Sequence, residues 1–132
     1  MIVLDASAAL ELLLNSKLAE KVAKRVFEPG QSLHAPHLID VEIAQVLRRL
    51  LRQNRIDSGR AEIAFQDLAD LPMTRYPHQL LLPRIWHLRN NATAYDAAYV
   101  ALAEALGATL LTCDQALANI PGHFGMVEIL HP

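Results

Sequence analysis

With 132 residues, of which 52% are hydrophobic and 20% charged, the chain has the size and composition of one globular domain rather than of a disordered protein. Its net charge of −2 is not that of a strongly basic nucleic-acid binder, and its single cysteine, Cys113, excludes an internal disulfide and a cysteine-based zinc site. No apolar run reaches the ~20 residues that span a membrane, and residues 1–5 lack the basic start of a signal peptide. We therefore expect one domain, residues 1–132, in the cytoplasm and without a membrane segment.

In the first half of the chain, short apolar runs alternate with helical patterns. The predicted elements are a strand at residues 2–4, a helix at 8–14, a helix from the N-cap Ser16 to about Glu28, a strand at 32–35 and a helix at about 38–53. The last of these helices has apolar residues at the spacing of a buried face: Ile39, Ile43, Val46, Leu47, Leu50 and Leu51.

The second half continues the alternation. Its predicted elements are a helix from Asp57 with the apolar stripe Phe65, Leu68 and Leu71, a short edge strand at 74–76, a helix at about 79–89 with Pro83 in its first turn, a helix at 93–106, a buried strand at 108–112 and a final strand at 126–130. Thr93 is the expected N-cap of the helix at 93–106, and Gly107 its closing residue. Strands separated by helices predict an α/β fold, a central parallel sheet flanked by helices (α/β/α sandwich).

Four carboxylates differ from the other acids in where the predicted elements place them. Asp5 directly follows the first strand, and Asp114 follows the strand at 108–112. Glu42 and Asp96 lie in the first turns of helices that leave the same edge of a parallel sheet. Crowded carboxylates repel one another, and hard oxygen ligands of this kind suit Mg²⁺ or Mn²⁺. The sequence therefore predicts a magnesium or manganese site at this edge.

Each of these acids also has a purely structural explanation: a turn at Asp5, a solvated helix face at Glu42, a capping box at Asp96 and a helix N-cap at Asp114. Their common placement at one edge is what favours a metal site. Hydroxyls accompany two of the acids, that of Ser7 after Asp5 and that of Thr112 before Asp114. These hydroxyls can orient the carboxylates, although capping and strand propensity explain them equally well.

Five arginines fall within thirteen positions: Arg48, Arg49, Arg52, Arg55 and Arg60. The stripe is either a solvated helix face or a surface that meets nucleic-acid phosphates, a second subunit or a protein partner, and the sequence does not choose. Arg48 and Arg52 are the candidates for such contacts. Four aromatic side chains are candidates for base stacking, although core positions in helices explain most of them: Tyr76, Trp86, Tyr95 and Tyr99.

The acids lie in segments that resemble PIN-domain ribonucleases, specifically the VapC-type toxins of bacterial toxin–antitoxin pairs. The matching segments are residues 2–8 (IVLDASA), 40–43 (DVEI), 93–103 (TAYDAAYVALA) and 110–114 (LLTCD). The resemblance covers nearly the whole chain in the right order. Its third and fourth motifs together are the specific ones, because an apolar strand that ends in Asp is common.

The resemblance implies Mg²⁺- or Mn²⁺-dependent endonucleolytic cleavage of RNA that leaves a 5′-phosphate, with four catalytic, metal-binding acids: Asp5, Glu42, Asp96 and Asp114. It also implies a small cognate antitoxin over the site region, and a homodimer. The chain departs from the family pattern in two places. Ala116 stands where a basic residue is common, and no acid occurs over residues 115–127.

Two other functions stay open at this point. A non-catalytic PIN module that binds RNA or a protein partner would have the same fold, although it has no need to keep all four acids. A phosphatase with an aspartyl nucleophile also begins with a strand that ends in Asp. It normally has a second acid two residues later, where this chain has Ser7, and a lysine near the phosphate, whereas the only lysines here are Lys17, Lys21 and Lys24.

Overall fold

A computed structural model describes residues 1–123 and 125–132. The strands are β1 (Ile2–Leu4), β2 (Leu33–Pro36), β3 (Met73–Tyr76), β4 (Thr109–Thr112) and β5 (Met126–Ile129). The helices are α1 (Ala6–Leu13), α2 (Ala19–Val26), α3 (Leu38–Arg52), α4 (Ser58–Asp70), α5 (Leu82–His87), α6 (Ala94–Leu106) and α7 (Gln115–Ala118). A short 3₁₀ helix, Gln79–Leu81, leads into α5.

The strands form one parallel sheet in the order β3-β2-β1-β4-β5. α1 packs against α2, α3 and α4, while α5 packs on α6, which lies across β1, β2 and β4. This arrangement confirms the predicted α/β/α sandwich. The strand order runs outward from β1 in both directions, so the topological switch point lies between β1 and β4. The carboxyl ends of the strands form a crevice at such a point.

β1 and β4 form the centre of the core. Ile2, Val3 and Leu4 are buried, as are Leu110 and Leu111, because helices cover both faces of the parallel sheet. Leu4 pairs with Leu111, and the backbone N–H of the next residue, Asp5, donates to the Leu111 carbonyl at 3.2 Å. The register of these two strands therefore brings the loop after β1 beside the loop after β4.

Two predicted helix starts were displaced. α1 begins at Ala6 rather than at residue 8 because the Asp5 carboxylate caps the helix, accepting from the Ala8 backbone N–H at 2.9 Å. α2 begins at Ala19, and its N-cap is Leu18 rather than Ser16. The backbone N–H of Leu18 donates to the carboxylate of Glu11 at 3.2 Å. This carboxylate replaces the hydroxyl of Ser16 that was predicted to cap the helix.

The predicted stripe of α4 was wrong at Phe65, which is 43% exposed. The buried face of this helix consists of Ala61, Ala64 and Leu68. Two short side chains let α4 approach α1 and α3 closely, and they leave the bulky ring at the edge of the contact.

The other helix signals were confirmed. Thr93 caps α6, Gly107 closes it in the left-handed conformation (φ 62°), and Pro83 stands in the first turn of α5. β3 is an edge strand, as predicted. Among the helices of residues 1–123 and 125–132, none has the length and apolar character required to cross a membrane.

Candidate metal site

Asp5 is the buried centre of a hydrogen-bond network at the switch point. Only 5% of the residue is exposed. The Ser7 hydroxyl lies 2.8 and 2.9 Å from its two carboxylate oxygens, and the Thr112 hydroxyl donates to Oδ2 at 2.7 Å. The cap bond from the Ala8 N–H adds a further donor. Each donor stabilises a negative charge that burial alone would disfavour.

Asp114 is bound to the same network from the loop after β4. Its backbone N–H donates to the Thr112 hydroxyl at 2.9 Å, and the N–H of Cys113 donates to the Ser7 hydroxyl at 3.0 Å. Its side chain is exposed and caps α7 through the N–H of Ala116 at 2.9 Å. Ser7 and Thr112 thus contact Asp5 and the backbone at Asp114, in line with the orienting role predicted for them.

Glu42 and Asp96 approach from two helices. Glu42 lies in the second turn of α3 rather than in the predicted first turn, because the helix begins at Leu38. It is half-buried, and its Oε1 accepts from the Tyr99 hydroxyl at 2.5 Å. Asp96 is the third residue of α6, and its N–H donates to the hydroxyl of the N-cap Thr93 at 3.1 Å. Asp96 and Tyr99 stand one helical turn apart, on the same face of α6.

Repulsion between neighbouring carboxylates links the four acids. Burial raises the pKa of Asp5 to about 6, and the charge of Asp114 adds to the rise. Burial also raises the pKa of Asp96, again with a contribution from Asp114. Burial raises the pKa of Glu42 as well, and the charge of Asp96 adds to this rise. The charge of Asp114 thus acts on Asp5 and on Asp96, and that of Asp96 acts on Glu42, which connects the four acids in the order Asp5–Asp114–Asp96–Glu42.

The four carboxylates do not form a preassembled ligand set. Within the described ranges, 1–123 and 125–132, no three His, Cys, Asp or Glu side chains are grouped so that they could hold a metal ion. Asp5, Asp114 and Glu42 each accept a hydrogen bond from a different group: the Thr112 hydroxyl, the Ala116 N–H and the Tyr99 hydroxyl, respectively. These bonds and the repulsion between like charges keep the carboxylates apart. The donor set still fits Mg²⁺ or Mn²⁺ in its chemistry, because it consists of hard oxygens whose mutual repulsion a divalent cation would relieve.

Asp40, two residues before Glu42 in the matching segment, serves the fold. Its carboxylate accepts from Arg75 of β3 at 2.7 Å, which ties α3 to the edge of the sheet. Cys113 lies beside the acids, and burial, together with the charges of Asp5 and Glu11, raises the pKa of its thiol to about 11. The thiol is therefore protonated near neutral pH.

The remaining predicted contact residues lie on the surface. Arg48 and Arg52 are both exposed on α3. Of the aromatic side chains assigned to core positions, Tyr99 is buried with 2% exposed, whereas Tyr95 is 61% and Trp86 68% exposed. The core assignment was therefore wrong for Tyr95 and Trp86. Sequence reasoning also missed the contact of Tyr99 with Glu42, for which the one-turn spacing from Asp96 was the available signal.

A mostly apolar groove of ≈ 540 Å³ lies beside the acids. Its lining includes Ser7 and Glu42 next to the acids, the apolar side chains of Leu10, Val41 and Val46, and the polar side chains of Gln45 and Arg49. Val41 is an exposed valine on α3 next to Glu42 in the chain. The groove therefore offers an apolar surface in direct continuity with the candidate metal site.

Solved structures show the same fold. The crystal structure of PAE2754 from Pyrobaculum aerophilum superposes with a TM-score of 0.71 at 23% identity, covering 98% of this chain and 83% of that one. The structure of Mycobacterium tuberculosis VapC20, described as a sarcin-ricin loop cleaving toxin, gives a TM-score of 0.69 at 15% identity, with both chains fully covered (100% and 100%).

Sequence comparison is more specific. A model of the PIN domain matches residues 2–123. VapC ribonuclease Mb0985 of Mycobacterium bovis is 47% identical over 119 residues, which cover 90% of this chain and 90% of the relative. Ribonuclease VapC12 of Mycobacterium tuberculosis is 39% identical over 130 residues, 98% of this chain and 99% of the relative. The chain therefore belongs to the PIN-domain family and, within it, to the VapC-type ribonucleases.

Proposed function

We propose that the protein is a Mg²⁺- or Mn²⁺-dependent endoribonuclease, the toxin of a type II toxin–antitoxin pair, acting on RNA in the cytoplasm. The observation that carries the proposal is the placement of the carboxylates at the switch point of the sheet, where Thr112 joins Asp5 to the backbone of Asp114, and Tyr99 joins Glu42 to the helix of Asp96. Membership of the VapC-type ribonucleases supports RNA as the substrate, and enzymes of this family generally depend on a divalent metal.

Asp5, Asp96 and Asp114 would hold the principal ion, with Glu42 completing its coordination. When bound, the cation acidifies water and offsets negative charge on the phosphate and on the leaving oxygen. The protein orients these ligands. Ser7 and Thr112 hold the buried carboxylate of Asp5, whereas Asp114 stays exposed at the start of α7. Because the acids run from the interior to the surface, RNA phosphates have access to the site from the Asp114 side.

Cleavage of total RNA by the purified protein tests this function. We expect endonucleolytic fragments with Mg²⁺ or Mn²⁺ and none in excess EDTA. Asp96→Asn should lower the rate by about a hundredfold or more, since it removes one ligand charge. Asp67→Asn, an exposed acid of α4, is the matched control and should cleave like the wild type.

Equal cleavage in EDTA would exclude the metal mechanism. RNA binding without cleavage under any metal condition would instead favour a non-catalytic PIN module. A phosphorylated intermediate trapped on Asp5 would support the phosphatase alternative.

A small antitoxin is the proposed partner, with the apolar groove beside Ser7 and Glu42 as its binding surface. Membership of the VapC-type ribonucleases supports such a partner, and the continuity of the groove with the acids supports the location. Val41→Ser should weaken inhibition by the coexpressed antitoxin while cleavage continues. Ile63→Ser, at an exposed apolar residue of α4, is the control and should leave inhibition unchanged. Equal inhibition of the wild type, Val41→Ser and Ile63→Ser would mean that the antitoxin binds outside this groove.

A homodimer is the proposed state of the free protein. Three exposed apolar side chains near α5 support self-association: Leu80, Leu82 and Trp86. Sedimentation equilibrium should give twice the mass of the 14.6 kDa chain, and Trp86→Ser should shift the species toward monomer. A monomeric wild type at micromolar concentration would contradict this state.

A further inference from the structure

Tyr99 links the two helices that supply Glu42 and Asp96. Its ring is buried in α6, and its hydroxyl donates to Oε1 of Glu42 on α3 across 57 positions of sequence. Within residues 1–123 and 125–132, this is the hydrogen bond that the Glu42 side chain receives. The contact therefore fixes a carboxylate that would otherwise rotate about its side-chain bonds.

The position of Tyr99 relates it to the whole set of acids. It follows Asp96 by one helical turn. One face of α6 therefore carries the proposed ligand Asp96 and also Tyr99, the hydrogen-bond partner of the proposed ligand Glu42. Only 2% of Tyr99 is exposed, so its hydroxyl meets the Glu42 carboxylate from within the core.

We propose that Tyr99 is a positioning residue of the metal site, acting through Glu42. By binding Oε1, the hydroxyl holds the carboxylate in one orientation and leaves Oε2 for the cation. This inference rests on the proposed function, because it assigns Glu42 to the metal. Removing the side chain that hydrogen-bonds to a metal ligand typically lowers the protein's affinity for the metal about ten- to a hundredfold.

Titration of the metal-stripped protein with Mn²⁺ by calorimetry measures the effect without any RNA. Tyr99→Phe removes one oxygen and keeps the ring, and we expect the dissociation constant to rise about tenfold. Tyr76→Phe is the matched control, because it removes the same oxygen from a tyrosine of the edge strand β3. The Tyr76 hydroxyl contacts the ring of His34 on β2 at 2.7 Å and none of the four acids. The control should bind Mn²⁺ like the wild type. Circular dichroism of both variants verifies the fold.

A double-mutant cycle separates positioning from a general loss of structure. Glu42→Ala should weaken Mn²⁺ binding, and adding Tyr99→Phe to it should cause no further loss, because Tyr99 acts through the Glu42 side chain. Effects that simply multiply would contradict the role, as would a Tyr99→Phe variant with wild-type affinity. A wild type that bound no Mn²⁺ would overturn the metal site itself together with this role, which distinguishes the two failures.

Discussion

The hydroxyl of Thr112 donates to Oδ2 of Asp5 at 2.7 Å, although the two residues are 107 positions apart. The same hydroxyl accepts from the backbone N–H of Asp114 at 2.9 Å. One side chain thus holds the ends of β1 and β4 together and sets the spacing of two proposed ligands. No other hydroxyl on β4 is in this position, because Thr109 lies at the opposite end of the strand.

Replacing Thr112 by Val should damage both the fold and the metal site. The substitution removes one of the two hydroxyls beside a buried Asp5 oxygen and leaves the Asp114 N–H without its acceptor, which costs about 1–3 kcal/mol in the free energy of unfolding. Mn²⁺ affinity should fall about tenfold, since Asp5 loses an orienting donor. Urea denaturation and Mn²⁺ titration measure the two effects, and Thr109→Val serves as the control. Equal behaviour of the two variants would show that the hydroxyl is not needed at the site.

The pKa of Asp5 predicts how stability depends on pH when divalent metal is chelated. The carboxylate titrates at 3.8 in the unfolded chain and at about 6 in the folded one, so the folded state binds the proton more tightly. The stability from this protonation is full below pH 3.8 and is lost as the pH rises through about 6. The loss amounts to about 3 kcal/mol, at ~1.4 kcal/mol per unit. Burial shifts the pKa values of Glu42 and Asp96 in the same direction.

Asp5→Asn should therefore flatten this dependence, because the amide does not titrate. Urea denaturation in EDTA at about pH 4 and about pH 7 measures the difference in unfolding free energy between the two conditions. Asp67→Asn should keep the wild-type dependence. Parallel pH profiles for the wild type and Asp5→Asn would contradict the raised pKa.

The exposed pair Arg48 and Arg52 predicts a salt effect on RNA binding. If both side chains contact phosphates of a single strand, replacing them with Ala should reduce the slope of log affinity against log salt by about 1.4. Filter binding at several salt concentrations measures this slope. The control removes two exposed lysines, Lys17→Ala with Lys24→Ala. An unchanged slope for the arginine variant would show that these two side chains do not contact phosphates.

Cys113 provides a chemical probe of the site. The pKa of its thiol rises from 9.0 to about 11 through burial first, then through the charges of Asp5 and Glu11. The thiolate is the reactive form, so alkylation by iodoacetamide near pH 8 should be about a hundredfold slower in the native protein than in urea. Asp5→Asn should accelerate the native reaction, because one of these charges is gone. Equal native and denatured rates would contradict the raised pKa.

Much of the fold followed from local signals. Ile2–Leu4 forms a buried strand, Thr93 and Gly107 bound α6, and Asp5 and Asp114 each lie just beyond the end of a strand. These features depend on residues close in sequence, on hydrophobic periodicity and on capping, so a single chain displays them. The assignment of the four acids to the metal stays a prediction, supported by the charge effects of Asp114 on Asp5 and Asp96 and of Asp96 on Glu42.

Only the tertiary structure decided which side chains meet. Phe65 and Trp86 have apolar character that predicts burial, yet both are exposed, because neighbouring alanines or aliphatic residues face the core instead. The contacts of Thr112 with Asp5 and of Tyr99 with Glu42 join residues 107 and 57 positions apart. The spacing of Tyr99 from Asp96 marks it as a neighbour of the site, but sequence does not say which side chain it meets, since such distances are set by strand register and by the packing of α3 and α6 around the sheet.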